Sequence, residues 1–303
     1  MINPFGIRCV AFLFATYCLV CCHCFAEEAT ITVAASDSSE VAKSAADFCC
    51  TGVDDQLTIQ QAISALPPAG GTVQLLAGNF DIRKVPKTLG GIVIDRSYVT
   101  LAGQGLATRL KLAAGQNTNV IRIIGSGVGH VTIRDLAVDA NRLENDQGTG
   151  DTNLSHDRFE FCGIKAFRQA PSGPLAKEDC HDITIRNCQV KDAHRLGIML
   201  EGPAMRVLDN FLGDAGSDVV EILTGPGIIR GNMIDTSEGS TRIKIGGGQT
   251  TLTGNVLDNV TIEIDDATGA GLPVLLGINS LHNSPLDLTQ GLLKLFPSSS
   301  ETP

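Results

Sequence analysis

Four short segments between residues 183 and 257 share one pattern and constrain the chain more than anything else in it. They read Ile185-Arg186-Asn187-Cys188-Gln189-Val190, Val207-Leu208-Asp209-Asn210-Phe211-Leu212, Ile229-Arg230-Gly231-Asn232-Met233-Ile234 and Leu252-Thr253-Gly254-Asn255-Val256-Leu257. Their fourth positions, Cys188, Asn210, Asn232 and Asn255, are separated by 22, 22 and 23 residues. A fixed period of this size marks stacked repeats. Apolar residues inside each unit come at strand spacing and are broken by Asn and Gly, so each unit is strand, turn, strand. The fold class that follows is all-β: a right-handed parallel β-helix in which one repeat is one coil. Equivalent positions then stack about 4.8 Å apart. The three Asn would form an amide ladder inside a turn, where Asn tolerates unusual backbone angles. A leucine-rich repeat would need a dense Leu pattern that is absent.

Other features fit thin coils with tight turns. Gly is abundant at 33 residues, Trp is absent and aromatics make up 4%. The formal charge of −10 argues against nucleic acid as a partner. An acidic protein that grips an acidic polysaccharide needs a local basic stripe or a bridging cation. Residues 1–26 read as a secretory signal, with Arg8 ahead of an apolar run and Ala26 at the cleavage point. The expected product is secreted, periplasmic or on the cell surface, without stable membrane insertion after cleavage. Nothing in the sequence fixes an oligomeric state. Five cysteines remain after the signal, and Cys162 with Cys180 is the expected disulfide pair.

The layout is then a signal at 1–26, a loose leader at 27–50, a β-helix domain at 51–284 and a C-terminal capping segment with a disordered tail at 285–303. Within the domain, Ile59, Ala62, Ile63 and Leu66 fall on one helical face behind a capping Asp54. Pro67-Pro68 stop that helix, and Gly70-Gly71 turn into a strand. Leu288, Leu292, Leu295 and Phe296 have helical spacing near the C-terminus and predict a plug for the far end.

The run Gly52, Asp54-Asp55, Ile59-Gln60, Ala62-Ile63, Gly70-Gly71, Val73, Leu75, Gly78 and Phe80 resembles the N-terminal cap of the pectin-lyase-like right-handed β-helix superfamily. The resemblance covers about residues 51–265. It implies a helix that plugs the open end of the coil, and it leaves the activity open, because the fold hosts many functions. Val131–Arg142 resembles the coil preceding the active site of alginate C5-epimerases. The Asp-Pro-His motif of those enzymes should fall at 197–202, which here reads GIMLEG. Arg242-Ile243-Lys244 is similar to the Arg-Ile-Lys motif of polygalacturonases, and Ser217-Asp218 stands where they carry an Asp pair. Their Asn-Thr-Asp and Gly-His-Gly motifs are absent.

Stacking converts repeat alignment into candidate sites. Arg134, Arg186 and Arg230 take one outward position, interrupted by Leu208. The column suits uronate carboxylates, and the plainer alternative is a solvated face paired with Asp. Lys165, Met199, Glu221 and Lys244 form a second outward column, in which Glu221 and Lys244 are expected to pair across strands. Lys165 lies between two long insertions, 141–160 and 168–182, where a desolvated Lys can serve as a base. Asp139, Asp192 and Asp214 stack near one corner and could hold Ca²⁺, or merely form turns. His156 and Arg158 lie on the first insertion, and His194 and Arg195 follow Asp192.

The leading expectation is an enzyme acting on a uronic-acid polymer by β-elimination or C5-epimerisation. Lys165, His194, His156 and Asp192 are its candidate catalytic residues. Arg134, Arg158, Arg186 and Arg195 are the candidate substrate clamps. The sequence fixes no cofactor, and Ca²⁺ is the metal that the stacked acids could hold. The alternatives are a non-catalytic glycan-binding surface module and a polygalacturonase-like hydrolase using Asp218 with Glu221.

Overall fold

The structure, a computed structural model, describes residues 29–86, 90–145, 161–167, 180–237, 241–246, 248–265, 274–288 and 293–295. Its strands form three parallel sheets of 11, 8 and 8 strands, and the chain visits them in rotation. One coil runs through Met205–Leu208 in the first sheet, Phe211–Leu212 in the second and Asp218–Ile222 in the third. The next begins at Gly227–Arg230, with Val207 opposite Ile229. The registers keep every inward apolar residue above another. Val207, Ile229 and Leu252 line one side of the core, Leu212, Ile234 and Leu257 the second, and Val220, Ile243 and Ile262 the third. All nine are buried. Each such side chain contributes roughly 1.5–3 kcal/mol relative to exposure.

The turn between the first and second sheets is held by the predicted ladder. The Asn210 backbone N–H donates to Asn232 Oδ1 at 3.0 Å, and its Nδ2 donates to the same oxygen at 2.9 Å and to Ile185 O at 3.1 Å. Asn232 repeats this toward Asn255 and Val207 O. Asn255 repeats it toward Asn279, a further rung. Cys188 closes the top, its N–H donating to Asn210 Oδ1 at 2.9 Å. Burial pushes its thiol up to about 12, so it acts as an inert filler. The residue before each rung is left-handed: Asn187, Asp209, Gly231 and Gly254 have φ from 50° to 71°. Only Asn, Asp and Gly adopt this conformation readily, which accounts for the residues found there.

Both ends depart from expectation. The leader is ordered structure: Thr30–Ala34 pairs in parallel with Gly71–Leu75 and with Phe48–Cys49, extending the first sheet by two strands. Alternating β-branched residues at 30–33 drive this, and the Ala/Ser-rich surroundings masked it. Helix α1, Glu40–Ala45, lies between those strands and is capped by Ser39. Helix α2, Asp55–Ala65, packs Ile59, Ala62 and Ile63 against the first coil, as its periodicity required. Its cap differs: Asp54 is left-handed and makes no capping bond. The neighbouring Asp55 instead accepts from Gly52 N at 2.8 Å and Asp81 N at 2.9 Å. The C-terminal stretch forms no helix among the described residues. Leu286–Leu288 and Leu293–Leu295 are strands continuing the third and first sheets. Leu286 and Leu288 fall opposite Ile262 and Ile264, so the coil register wins over the helical spacing.

The cysteine pairing is also corrected. Cys49, Cys50, Cys162, Cys180 and Cys188 are all free thiols. Cys162 packs outside the third sheet with Phe167, Leu196 and Met199, whereas Cys180 belongs to the main core, so the two thiols lie in different apolar clusters. Residues 1–28, with the predicted signal, lie outside the described residues. Among the described residues no helix is long and apolar enough to cross a membrane.

Candidate functional site

The predicted columns exist, but on different sides of the coil. Arg134, Arg186, Leu208 and Arg230 stack in the first sheet in that order. Arg134 is spent on its neighbour Asp135, a direct ion pair. Burial alone would raise the Asp135 pKa, but bonds from Asn187 and Arg134 win and lower it. Lys165, Met199, Glu221 and Lys244 stack in the third sheet. The side chains of a three-sided coil point outward in three directions, so the Arg column cannot clamp what Lys165 attacks. His156 and Arg158 lie outside the described residues.

The acids Asp139, Asp192 and Asp214 do meet, at the corner between the second and third sheets. They line a cleft of about 360 Å³ with Asn141, Arg142 and Leu143. They do not form the expected calcium site: among the described residues no three His, Cys, Asp or Glu side chains are placed to hold a metal ion. Lys191 lies 2.6 Å from Asp192 and 4.0 Å from Asp139 and neutralises them instead. Asp192 is also left-handed, φ 55°, the turn role that was its plainer alternative. At the same corner the ring of His194 meets Phe161 edge-on, with centroids 5.5 Å apart. The Arg195 carbonyl accepts from Ser217 N at 2.8 Å.

The outward face of the third sheet is where charge and burial coincide. Lys165 is fully buried, with its ammonium 5.1 Å from the Phe167 ring centre. The desolvation expected of it is present, and the two insertions expected to flank it lie largely outside the described residues. Its register partner Arg122 is also buried and donates to Ile123 O at 2.9 Å and Phe167 O at 3.3 Å. One coil further, Met199 stacks between Lys165 and Glu221 and carries the apolar cover along the column.

A bulge shapes the next two coils. Val219 and Val220 both enter the core, and the pairing with Arg242–Ile245 shifts between Asp218 and Val220. Asp218 and Glu221, three residues apart, therefore share one outward face opposite Arg242 and Lys244, which are two apart. Glycines make the room. A Cβ on Gly197 would lie 2.6 Å from the Val219 carbonyl oxygen, and one on Gly163 would lie 2.7 Å from that of Gly197.

The charges on this face are tightly interlocked. Arg242 Nε donates to Asp218 Oδ1 at 2.7 Å, and its Nη1 donates to Glu263 Oε2 at 2.6 Å. Lys244 pairs with Glu263 at 3.4 Å and Asp265 at 3.9 Å. The expected Glu221–Lys244 ion pair is not formed, because Lys244 leans toward the acids of the following coil. Glu221 is 4% exposed and its Oε2 has no hydrogen-bond partner. Burial, and then the neighbouring Asp218 charge, push its pKa up to about 7. Burial raises Asp218 as well, against the pull of Arg242. The result is a carboxyl group poised to exchange a proton near neutrality, beside two cations that remain partly open to solvent. Asp218 and Arg242 were visible in the sequence through the partial polygalacturonase match. Glu263 was not, because its strand carries no repeat signature; extending the register one coil past Lys244 would have found it.

Comparisons with known proteins agree with this architecture. No protein-family model matches the chain. The A-module of mannuronan C-5 epimerase AlgE6 from Azotobacter vinelandii superposes with a TM-score of 0.53 at 21% identity, over 78% of this chain and 63% of that one. A pectin methylesterase mutant in complex with a hexasaccharide superposes with a TM-score of 0.52 at 11% identity, over 88% of this chain and 81% of that one. The chain folds as a right-handed parallel β-helix. In sequence, mannuronan C5-epimerase AlgE4 of the same organism is 36% identical over 95 residues, which is 29% of this chain but only 17% of that protein.

Proposed function

We propose that the protein acts on a uronic-acid polymer and inverts carbon 5 of a uronate residue at the outward face of the third sheet. The observation that carries this reading is Glu221, buried, raised to about 7 and lacking a partner for Oε2, next to Arg242 and Lys244. A proton next to a carboxylate is removed only if that carboxylate is neutralised and a base near neutral pKa is at hand. Arg242 and Lys244 supply the cations and Glu221 the base. The C5–H bond breaks as Glu221 takes the proton, its electron pair is taken up by the neutralised carboxylate, and a proton supplied by solvent returns to C5 on the other face as the pair moves back. Similarity to C5-epimerases in part of the chain favours this outcome over β-elimination, in which the O4 substituent leaves instead.

The test is incubation with polymannuronate in D2O, read by proton NMR. Deuterium at C5 together with guluronate signals is expected, and Glu221→Gln should lower both at least a hundredfold while the fold is retained. Absence of exchange on polymannuronate and polygalacturonate alike would overturn the proposal, and absorbance near 235 nm without inversion would make the protein a lyase. A second reading is hydrolysis, favoured by two buried carboxyls, Asp218 and Glu221, both raised on one strand. It predicts new reducing ends with no C5 deuterium.

A further inference from the structure

We infer that Glu263 occupies the seat of the substrate carboxylate, so that a uronate enters this face by displacing it from Arg242 and Lys244. The inference rests on the uronate-acting site proposed above. The single Glu263 carboxylate divides its two oxygens between the two cations, Oε2 to Arg242 at 2.6 Å and Oε1 to Lys244 at 3.4 Å. A uronate carboxylate has the same planar pair of oxygens and the same charge. The geometry permits exchange. Asp218 holds Arg242 from the other edge through Nε, so the guanidinium stays oriented when Glu263 leaves. Asp265 remains near Lys244. The Arg242 and Lys244 side chains are 35% and 23% exposed, whereas Asp218 and Glu221 are 4% exposed. Solvent, and hence the carboxylate of a polymer, meets the two cations first, with Glu221 behind them. Glu263 also arrives from a neighbouring strand: its register partner is Lys244, and that of Arg242 is Thr261. It therefore reaches Arg242 along a diagonal, and swinging it aside breaks no backbone pairing.

An internal competitor lowers apparent affinity by the fraction of time it holds the seat. The experiment is calorimetric titration of the full chain with polymannuronate at low salt. Glu263→Gln should bind about five- to tenfold more tightly than the unaltered protein. Glu263→Asp, one methylene too short to span both cations, should gain about twofold and serves if the Gln variant does not fold. Asp287→Asn removes the same charge one coil further along the column, and should gain less than twofold. Equal or weaker binding by both Glu263 variants overturns the inference, as does an equal gain in Asp287→Asn, which would mean net charge alone. If the unaltered protein turns polymannuronate over while the Glu263 variants bind no better, only this inference falls. If no form binds any polyuronate, the proposed function falls and takes the inference with it.

Discussion

Two surfaces of this coil are built on opposite rules. At the corner between the first and second sheets, each Asn of the ladder donates to the amide oxygen of the Asn one coil on and to a backbone carbonyl one coil back. On the outward face of the third sheet no residue answers its own kind: Lys165, Met199, Glu221, Lys244 and Glu263 follow one another in one column. Repetition lets a buried amide find the same partners in every coil, and it secures the fold. The irregular column leaves one carboxylate oxygen unmatched in a place where an unmatched group is costly. A surface that carries such a group unbonded has been shaped by something other than stability.

Breaking the ladder should therefore have the largest effect on folding. Asn232→Leu removes the acceptor of two Asn210 bonds and the donor to Val207 O and Asn255, all buried. A loss of about 3–5 kcal/mol is expected, since several buried groups become unsatisfied at once. Chemical denaturation followed by circular dichroism measures it. A loss below about 1 kcal/mol would mean that the ladder is ornament on an apolar core.

The same contrast explains what the sequence made legible. Period and pattern disclosed the ladder, the inward columns and the correct outward neighbours, because identical geometry every 22 or 23 residues demands similar residues. The register Ile164, Ile198, Val220 and Ile243 is a case where counting sufficed. Counting gives order within a column but not which sheet's side the column occupies. Hence Arg186, Asp139 and Lys165 looked like one site and belong to three places. It also misses a bulge, because Val219 costs one extra residue and leaves no mark in composition, yet it alone puts Asp218 beside Glu221. Burial of Arg122 was equally invisible, since outward position normally means solvent.

Charge at the third sheet sharpens the comparison through pH. Glu221 titrates near 7 in the folded protein against an ordinary 4.5. Between those values the folded state holds a proton that the unfolded chain has released, so stability falls as pH rises through this window and levels off above 7. The full difference is about 3 kcal/mol. Glu221→Gln carries no such proton. It should match the unaltered protein at pH 4 and exceed it by up to about 3 kcal/mol at pH 8, with thermal unfolding at the two pH values as the readout. A variant no more stable at pH 8 would show that Glu221 is compensated, and the contrast between the two surfaces would weaken.

The smallest expected effect separates the two rules most finely. In Gly197→Ala the new methyl meets the Val219 carbonyl oxygen at 2.6 Å, which backbone must yield to relieve. Overpacking of this kind costs about 1–3 kcal/mol. The ladder is on another side of the coil, so the loss should be local. The bulge that holds Asp218 and Glu221 on one face should shift, and polymannuronate turnover should fall about tenfold or more, since small misplacements of reacting groups are expensive. Backbone amide exchange around Asn210 and Asn232 should stay as slow as before. Faster exchange there would show that the coil transmits strain from side to side, and that fold and site are not the separable constructions their residue patterns imply.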